Sequence, residues 1–209
     1  MKKFLILILI SLLTLGLVAC GNSGNGESKD ASSKQQHSTE SNQTSNEDDS
    51  SNNNEGEVTE NEIGKITVVN KKKDINQTFQ SGPVNLTINA IQTATLEPSE
   101  SYKDMFDGKE KLTIVTINMK TENTSDDTVG IYPNQAVLTT NTGEQVDADI
   151  WLSDDLGGDF YGKVSKEGDV IFQLDSPAEE ISNMKLIIEG AHDTDYNSLS
   201  EQLHIDLSF

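Results

Sequence analysis

The stretch Val84-Asn85-Leu86-Thr87-Ile88-Asn89-Ala90 decides the fold class, because its apolar and polar residues alternate strictly. A period of two is typical of a β-strand with one buried and one exposed face. Ile91 breaks the alternation, which predicts a β-bulge or a change of buried face. The next strong segment, Leu112–Met119, is rich in β-branched residues and changes phase at Ile114-Val115. That pattern predicts a central strand that is covered on both sides.

Further β-segments follow at intervals that suit an antiparallel protein. They are 65–70, 135–140, 145–151, 169–174, 184–189 and 203–209. Turn residues such as Asp107-Gly108 and Asn141-Thr142-Gly143 separate them, while helical periodicity is confined to possible short turns at 98–105 and 193–199. The pattern predicts an all-β domain, an immunoglobulin-like antiparallel sandwich of about seven to nine strands. A small barrel is the alternative.

The composition divides the chain into three parts. Residues 63–209 carry the β-pattern and are enough for one domain with its own core. Residues 20–62 are dominated by Ser, Asn, Gly, Gln, Glu and Asp, with Ala31 and Val58 as the only aliphatic members. Such a sequence cannot bury enough apolar surface to fold, so we predict a disordered acidic tether. Residues 1–19 precede it as a predicted signal peptide.

The N-terminal segment predicts export and lipid attachment. Lys2 and Lys3 precede an apolar run from Phe4 to Val18, which is shorter than the roughly 20 residues of a stable membrane span. The run ends in Leu17-Val18-Ala19-Cys20-Gly21, which resembles a bacterial lipobox. We therefore expect a diacylglyceryl group on Cys20, the chain's one cysteine, and a position on the outer face of the bacterial membrane. Replacing Cys20 with Ser should release the protein or leave it unprocessed.

The charge balance argues against nucleic acid as a partner. The chain has a net charge of −20, and its basic residues are fifteen lysines with no arginine. Arginine is the preferred residue for bidentate phosphate capture, so its absence weakens any nucleotide or nucleic-acid hypothesis. An acidic surface attracts cations or basic partners instead.

A family resemblance covers residues 84–189. It rests on turn and packing residues: Asn123-Thr124-Ser125-Asp126-Asp127 after a long strand, Tyr132-Pro133 before Ala136-Val137-Leu138, Gly157-Gly158, and Val170-Ile171-Phe172. These resemble a domain of unknown function that is common in Gram-positive surface lipoproteins and is sometimes mislabelled telomeric-repeat-binding-factor-like. Lys166-Glu167-Gly168 stands where that family usually has a proline-glycine turn. The resemblance implies an immunoglobulin-like sandwich, and it implies no DNA binding or activity.

Catalytic motifs are not evident in this sequence, so we predict that the protein is not an enzyme. No serine lies in a Gly-x-Ser-x-Gly pattern. His37 falls in the tether and His204 on the polar side of a strand, while His192 lies beside Asp193 in a loop. A zinc site needs several convergent ligands, which these positions do not suggest.

Two clusters are candidates for binding. The first is acidic and lies around Gly157-Gly158, with Asp147 and Asp149 before Asp154, Asp155 and Asp159. Glycine-rich acidic loops can enclose calcium, which takes about six to eight oxygen ligands, so Asp154, Asp155 and Asp159 are candidate ligands of a weak calcium site. No EF-hand spacing is present, and a solvated acidic loop is the alternative interpretation. No other cofactor is predicted.

The second cluster is aromatic, and comprises Tyr132, Trp151, Phe160 and Tyr161. Aromatic residues near glycine-rich loops can form a platform for a peptide, a glycan or a protein, although packing in the core is the alternative. Two functions therefore remain open. One is a non-catalytic binding or structural module that contacts a cell-wall component or an extracellular protein. The other is a solute- or cation-binding lipoprotein associated with a transporter or sensor.

Overall fold

A computed structural model describes residues 56–209 of the 209-residue chain. The predicted signal peptide, the lipidation site Cys20 and most of the predicted tether, including His37, lie outside the described residues. The described part is all-β and confirms the predicted fold class. Its first strand begins at Val58, five residues before the domain boundary predicted at Ile63.

The described residues form twelve strands and three short 3-10 helices. The strands are β1 Val58–Glu60, β2 Gly64–Lys72, β3 Gln77–Ser81, β4 Val84–Pro98, β5 Leu112–Asn123, β6 Thr128–Ile131, β7 Val137–Thr140, β8 Gln145–Asp147, β9 Gly158–Tyr161, β10 Ser165–Leu174, β11 Asn183–Ile188 and β12 Leu203–Ser208. The 3-10 helices are Lys103–Phe106, Pro133–Gln135 and Ala178–Glu180. None of these helical turns within residues 56–209 has the length and apolar character that a bilayer crossing requires.

The strands form three antiparallel sheets. The large sheet has the order β1-β2-β4-β5-β10, with β3 pairing to the first half of β4. A second sheet has the order β12-β11-β7-β8, and β6 pairs with β9 in a small two-stranded sheet. The bulge predicted near Ile91 is present between Ile88 and Ala90, where the pairing of β4 with β5 shifts by one residue. The shift changes which side chains of β4 face which side of the sheet.

The inner face of the large sheet packs against the other two sheets. The resulting inner core includes Ile117 and Phe172 from the large sheet, Leu138 and Leu186 from the four-stranded sheet, and Phe160 from the small sheet. All five side chains are 0% exposed. Side chains from three sheets therefore share one interior, as in a β-sandwich.

The outer face of the large sheet is also buried over part of its length. Ile66, Ala94, Leu96, Ile114 and Ile171 form an outer core, and Phe106 and Leu152 cover it. The covering residues come from the 3-10 helix Lys103–Phe106 and from the loop between β8 and β9. β5 is therefore covered on both sides, as its phase change at Ile114-Val115 predicts, because Ile114 belongs to the outer core and Val115 to the inner core.

The structure differs from the sequence-based prediction in its short elements. It has twelve strands rather than seven to nine, since β1, β3, β6 and β9 contain only three to five residues each. The predicted strand 145–151 ends at Asp147, and residues 193–199 form turns rather than a helical segment. β1 and β3 pair with the strand that follows each of them, whereas β6 and β9 pair with each other across about thirty residues.

Candidate functional site

The loop of residues 148–157 covers the free edge of β10, the last strand of the large sheet. The Asp149 N–H donates to the Ile171 carbonyl at 2.8 Å, and the Ile171 N–H donates to Ser153 Oγ at 2.9 Å. The Asp169 N–H donates to Asp154 Oδ2 at 2.8 Å, and the Asp154 N–H donates to the Asp169 carbonyl at 2.9 Å. The loop therefore satisfies an edge that would otherwise offer unpaired backbone groups to another strand.

The aspartates predicted as calcium ligands have other partners in this loop. Asp154 accepts the Asp169 N–H, and Asp155 forms an ion pair with Lys166 at 3.4 Å. Asp159 lies on β9 instead of in the loop, with its side chain exposed. Within residues 56–209 no group of three or more His, Cys, Asp or Glu side chains is arranged to hold a metal ion. Calcium binding stays a prediction, and a rise in melting temperature at millimolar calcium would support it.

Asp149 fixes the conformation of the loop tip. Its Oδ1 accepts the N–H groups of Trp151 and Leu152 at 2.8 and 3.1 Å, and its Oδ2 accepts Gln173 Nε2 at 2.6 Å. Leu152 then enters the outer core. One carboxylate thus links the tip to β10, with two hydrogen bonds to the tip and one to Gln173. This is a structural role for a residue of the predicted acidic cluster.

The tip of this loop presents two large apolar side chains to solvent. Ile150 is 56% exposed and Trp151 is 75% exposed, whereas the next two residues, Leu152 and Ser153, are buried. The loop tip, defined as Ile150-Trp151, is therefore a rigidly held apolar projection. Of the four aromatic residues that the sequence singles out, Trp151 is the one in this loop.

The other three aromatic residues lie on the small sheet or directly beside it. Phe160 is fully buried in the inner core, so a ligand at the surface cannot reach it. Tyr161, its neighbour on β9, points the opposite way and is 74% exposed. Tyr132 directly follows β6 and is half-buried. The sequence-predicted cluster is thus divided among a core position, the loop tip and the outer side of the small sheet.

The outer side of the small sheet carries a three-ring stack that sequence reasoning missed. His192 forms a β-bridge with Gly130, and its ring lies where a side chain at Gly130 would stand. The ring stacks on Tyr132 with centroids 6.0 Å apart and on Tyr196 with centroids 4.9 Å apart. We define the stack face as Tyr132, His192 and Tyr196 together with Asp159 and Tyr161.

Asp159 and Tyr161 belong to this face because of the strand register. Asp159 is paired with Gly130 and Tyr161 with Thr128, and paired residues on neighbouring strands point to the same side. Asp159 is exposed, and no hydrogen bond or ion pair engages its carboxylate among the described residues. The cross-strand neighbour of the His192 ring is therefore an exposed carboxylate with no protein partner in this part of the chain.

The turn after His192 holds the outermost ring in place. Asp193 Oδ1 accepts the N–H groups of Asp195 and Asn197 at 2.9 and 2.8 Å, and Oδ2 accepts Asn197 Nδ2 at 2.9 Å. These hydrogen bonds, led by that from the Asn197 side chain, lower the pKa of Asp193. Tyr196 has a φ of 61°, an unfavourable value for a bulky side chain, and is 79% exposed.

The tautomer of the His192 ring follows from the hydrogen bond that the ring makes with the Asp193 carbonyl. His192 Nδ1 lies 2.8 Å from the Asp193 carbonyl oxygen, and a carbonyl oxygen only accepts. Nδ1 therefore carries a proton and donates it to this oxygen. The hydrogen bond fixes the orientation of the ring between the two tyrosines, so the stack is preorganised.

The polar part of the outer face contains a second carboxylate with a shifted pKa. Asp169 is 4% exposed and accepts a hydrogen bond from Asn118 Nδ2 at 2.8 Å. Burial raises the pKa of Asp169 to about 6; the Asn118 hydrogen bond opposes this rise, and the charges of Asp154 and Glu167 add to it. The outer core beside it encloses a cavity of about 10 Å³, about the size of one water molecule.

Comparison with known proteins places this sandwich in a family. The chain matches the family described as "Domain of unknown function (DUF4352)" over residues 73–198, and it belongs to that family. The fold is similar to that of a functionally unknown protein from Listeria monocytogenes EGD-e, with a TM-score of 0.54 and 13% identity over 70% of this chain and 88% of that one.

Two curated relatives come from Bacillus subtilis (strain 168). One is the SPbeta prophage-derived uncharacterized lipoprotein YonS, which is 30% identical over 147 residues, or 69% of this chain. The other is the uncharacterized protein YdhF, which is 26% identical over 156 residues, or 66% of this chain. The matches span 65% of the length of each relative. The comparisons thus confirm the coarser part of the resemblance, a domain of unknown function that also occurs in a lipoprotein.

Proposed function

We propose that the protein is a lipoprotein anchored through a diacylglyceryl group on Cys20 to the outer face of a bacterial membrane. Its β-sandwich is a non-catalytic module that binds an extracellular protein through the loop tip Ile150-Trp151. The lipobox-like run Leu17–Gly21 and the similarity to the lipoprotein YonS support the anchor. The exposure of Ile150 and Trp151 at the loop tip supports a binding role.

The rigid exposure of Trp151 carries the proposal. Burying a large apolar or aromatic side chain contributes about 1.5–3 kcal/mol of favourable free energy. Because Trp151 is exposed in the folded protein, most of this free energy is gained only when a partner covers it. Tryptophan is also enriched among the residues that dominate protein–protein binding energies. Because Asp149, Leu152 and Ser153 already hold the loop, little conformational entropy is lost when a partner covers the tip.

A site-specific crosslinking experiment tests this function. A photoreactive phenylalanine analogue is placed at Trp151 in the full-length protein and activated in intact producing cells. The matched control carries the analogue at Val164, which is 45% exposed but precedes β10 on a different turn. We expect a discrete crosslinked protein from position 151 that is absent from position 164 and is reduced by Ile150→Ser. Equal crosslinking from both positions, or none from position 151, would contradict the proposal.

The anchor is tested separately. Cys20→Ser should move the protein from the membrane fraction to the medium or leave the precursor uncleaved. Crosslinking from Trp151 is measured with the wild-type anchor, so failure of one test leaves the other interpretable. Unchanged processing and membrane retention of the Cys20→Ser variant would remove the lipid anchor from the proposal.

A further inference from the structure

The stack face differs from the loop tip in having preformed ring surfaces beside negative charge. Tyr196 contacts His192 on one side with centroids 4.9 Å apart, and its 79% exposure leaves its other ring face open to solvent. Tyr161 adds a second exposed ring, on β9. An aromatic ring carries negative charge density on its face, so exposed ring faces attract cations.

Two exposed carboxylates, Asp159 and Asp195, neighbour these rings. Asp159 is the cross-strand neighbour of Gly130, over which the His192 ring lies, and it has no partner among the described residues. Asp195 directly precedes Tyr196 and is exposed. Lys163, on the turn after β9, is paired with Asp126 at 3.0 Å, so its charge is already compensated. The electrostatic potential at the stack face is therefore negative, in line with the chain's net charge of −20.

We propose that the stack face binds an arginine side chain of a basic extracellular polypeptide. The planar guanidinium stacks on the open face of Tyr196, and its N–H groups reach the neighbouring carboxylates. Arginine suits this arrangement better than lysine, because its flat, weakly hydrated cation both stacks on aromatic rings and pairs with carboxylates in a fork. The site is distinct from the loop tip and does not depend on the function proposed for it.

Charge complementarity distinguishes this occupant from a neutral glycan, which also stacks on aromatic rings. A sugar would use the tyrosine hydroxyls and carboxylates as hydrogen-bond partners and would be insensitive to the sign of the charge. A guanidinium uses the ring faces and the negative field. The two ligands therefore predict opposite behaviour for Tyr196→Phe, which keeps the ring and removes the hydroxyl, and for added salt, which screens the charge.

A peptide titration tests the proposal. The full-length mature protein in neutral detergent is titrated by calorimetry with the blocked peptide Gly-Arg-Gly-Arg-Gly and, in parallel, with Gly-Gln-Gly-Gln-Gly. We expect binding of the arginine peptide alone, weakened by 0.5 M sodium chloride. Tyr196→Asn should weaken it about five- to tenfold, because it removes the stacked ring while an asparagine tolerates the positive φ. Asp159→Asn should weaken it about two- to fivefold, and Tyr196→Phe should bind like the wild type.

Several outcomes overturn the proposal. They are undetectable binding of the arginine peptide at millimolar concentration, equal binding of the glutamine peptide, and wild-type affinity in both Tyr196→Asn and Asp159→Asn. Loss of binding in Tyr196→Phe would also overturn it. Trp151→Ser serves as the control for the loop tip and should leave peptide binding unchanged. If Trp151→Ser abolishes binding while the stack variants do not, the peptide binds at the tip and the stack face is not the site.

Discussion

The two faces of the large sheet are both buried, but different kinds of structure cover them. The inner face packs against strands of the other two sheets. The outer face is covered by irregular segments, the 3-10 helix Lys103–Phe106 and the loop of residues 148–157. Strands cover a face with alternate side chains at a regular spacing, and their backbone groups are paired in the sheet. A loop must find hydrogen-bond partners for its own backbone N–H and C=O groups as well. Asp149 accepts N–H groups of the loop itself, while Ser153 and Asp154 accept N–H groups at the edge of β10.

This difference extends to charge. Among residues 56–209 the buried charged side chains are Lys71 and Asp169, and both lie on the outer face. The inner face has only uncharged polar residues, such as Thr121 and Asn123, among its buried side chains. The comparison teaches that the inner face provides the stability of the domain. The outer face combines packing with polar groups that respond to pH and position an exposed loop.

The largest expected effect comes from comparing two isoleucines of β5. Ile117 faces the inner core and Ile114 faces the outer core, and they are 0% and 4% exposed. Ile117→Ala should lower the free energy of unfolding by about 4 kcal/mol, and Ile114→Ala by about 2 kcal/mol. Ile114→Ala should cost less unfolding free energy, because the covering loop can shift to fill the cavity more easily than two packed sheets can. Urea unfolding of both variants measures the difference; an equal or larger loss for Ile114→Ala would contradict it.

The sequence predicts the strands that supply the inner core. The alternation in Val84–Ala90 and the phase change in Leu112–Met119 are local patterns, and local patterns identify long strands well. The alternation pattern does not predict β3, β6 and β9, because they are four or five residues long and contain glycine, aspartate or glutamine. β6 and β9 form by pairing with distant residues, as in the pairing of Val129 with Phe160, and β3 forms by pairing with the start of β4.

The candidate sites show the same limit. The exposed Trp151 could be picked out from its surroundings in the sequence, and so could the acidic character of its loop. The stack of Tyr132 on His192 could not be predicted, because sixty residues separate them and their contact depends on the bridge between Gly130 and His192. The role of Asp154 at the edge of β10 is likewise a tertiary contact without a sequence signature.

Removing one hydroxyl tests whether the outer-face loop protects the sheet edge. Ser153→Ala leaves the buried Ile171 N–H without its acceptor, which should cost about 1–3 kcal/mol of unfolding free energy. Amide hydrogen exchange should accelerate at Ile171 and remain slow at Ile117, in the centre of the sheet. Ser153→Thr keeps the acceptor oxygen and serves as the matched control. Exchange at Ile171 that is unchanged in Ser153→Ala would show that the hydroxyl does not protect this edge.

The buried carboxylate of the outer face predicts a pH dependence. Because burial raises the pKa of Asp169 from 3.8 to about 6, the folded state binds more protons than the unfolded state between these values. Stability should therefore fall as pH rises from about 4 to about 6, and Asp169→Asn should remove most of that fall. At pH 7 this variant should be more stable than the wild type by about 1–2 kcal/mol. Unfolding in urea at several pH values measures both effects.

Asp193 provides a control of opposite sign. Hydrogen bonds from Asn197 lower its pKa, so the stability it contributes is present above its ordinary pKa and lost as pH falls through the lowered value. Asp193→Asn should therefore reduce stability at pH 7, whereas Asp169→Asn raises it. If Asp169→Asn instead destabilises the protein at pH 7, the charge of Asp169 is compensated by its surroundings, with Lys71 as the nearby cation.

The smallest expected effect on stability comes from Gly130→Ala, which adds a single methyl group. The same substitution tests directly whether the ring stack depends on the close approach of His192 to Gly130. A Cβ at Gly130 would overlap the end of the half-buried His192 ring, which can turn toward solvent by breaking its hydrogen bond to the Asp193 carbonyl. Gly130→Ala should therefore change the unfolding free energy by less than about 1 kcal/mol, in contrast to the core variants. It should abolish the ring-current shifts that Tyr132 and Tyr196 impose on His192 in proton NMR spectra, and it should weaken binding of the arginine peptide. Retained ring-current shifts would show that the stack does not depend on the close approach of His192 to Gly130.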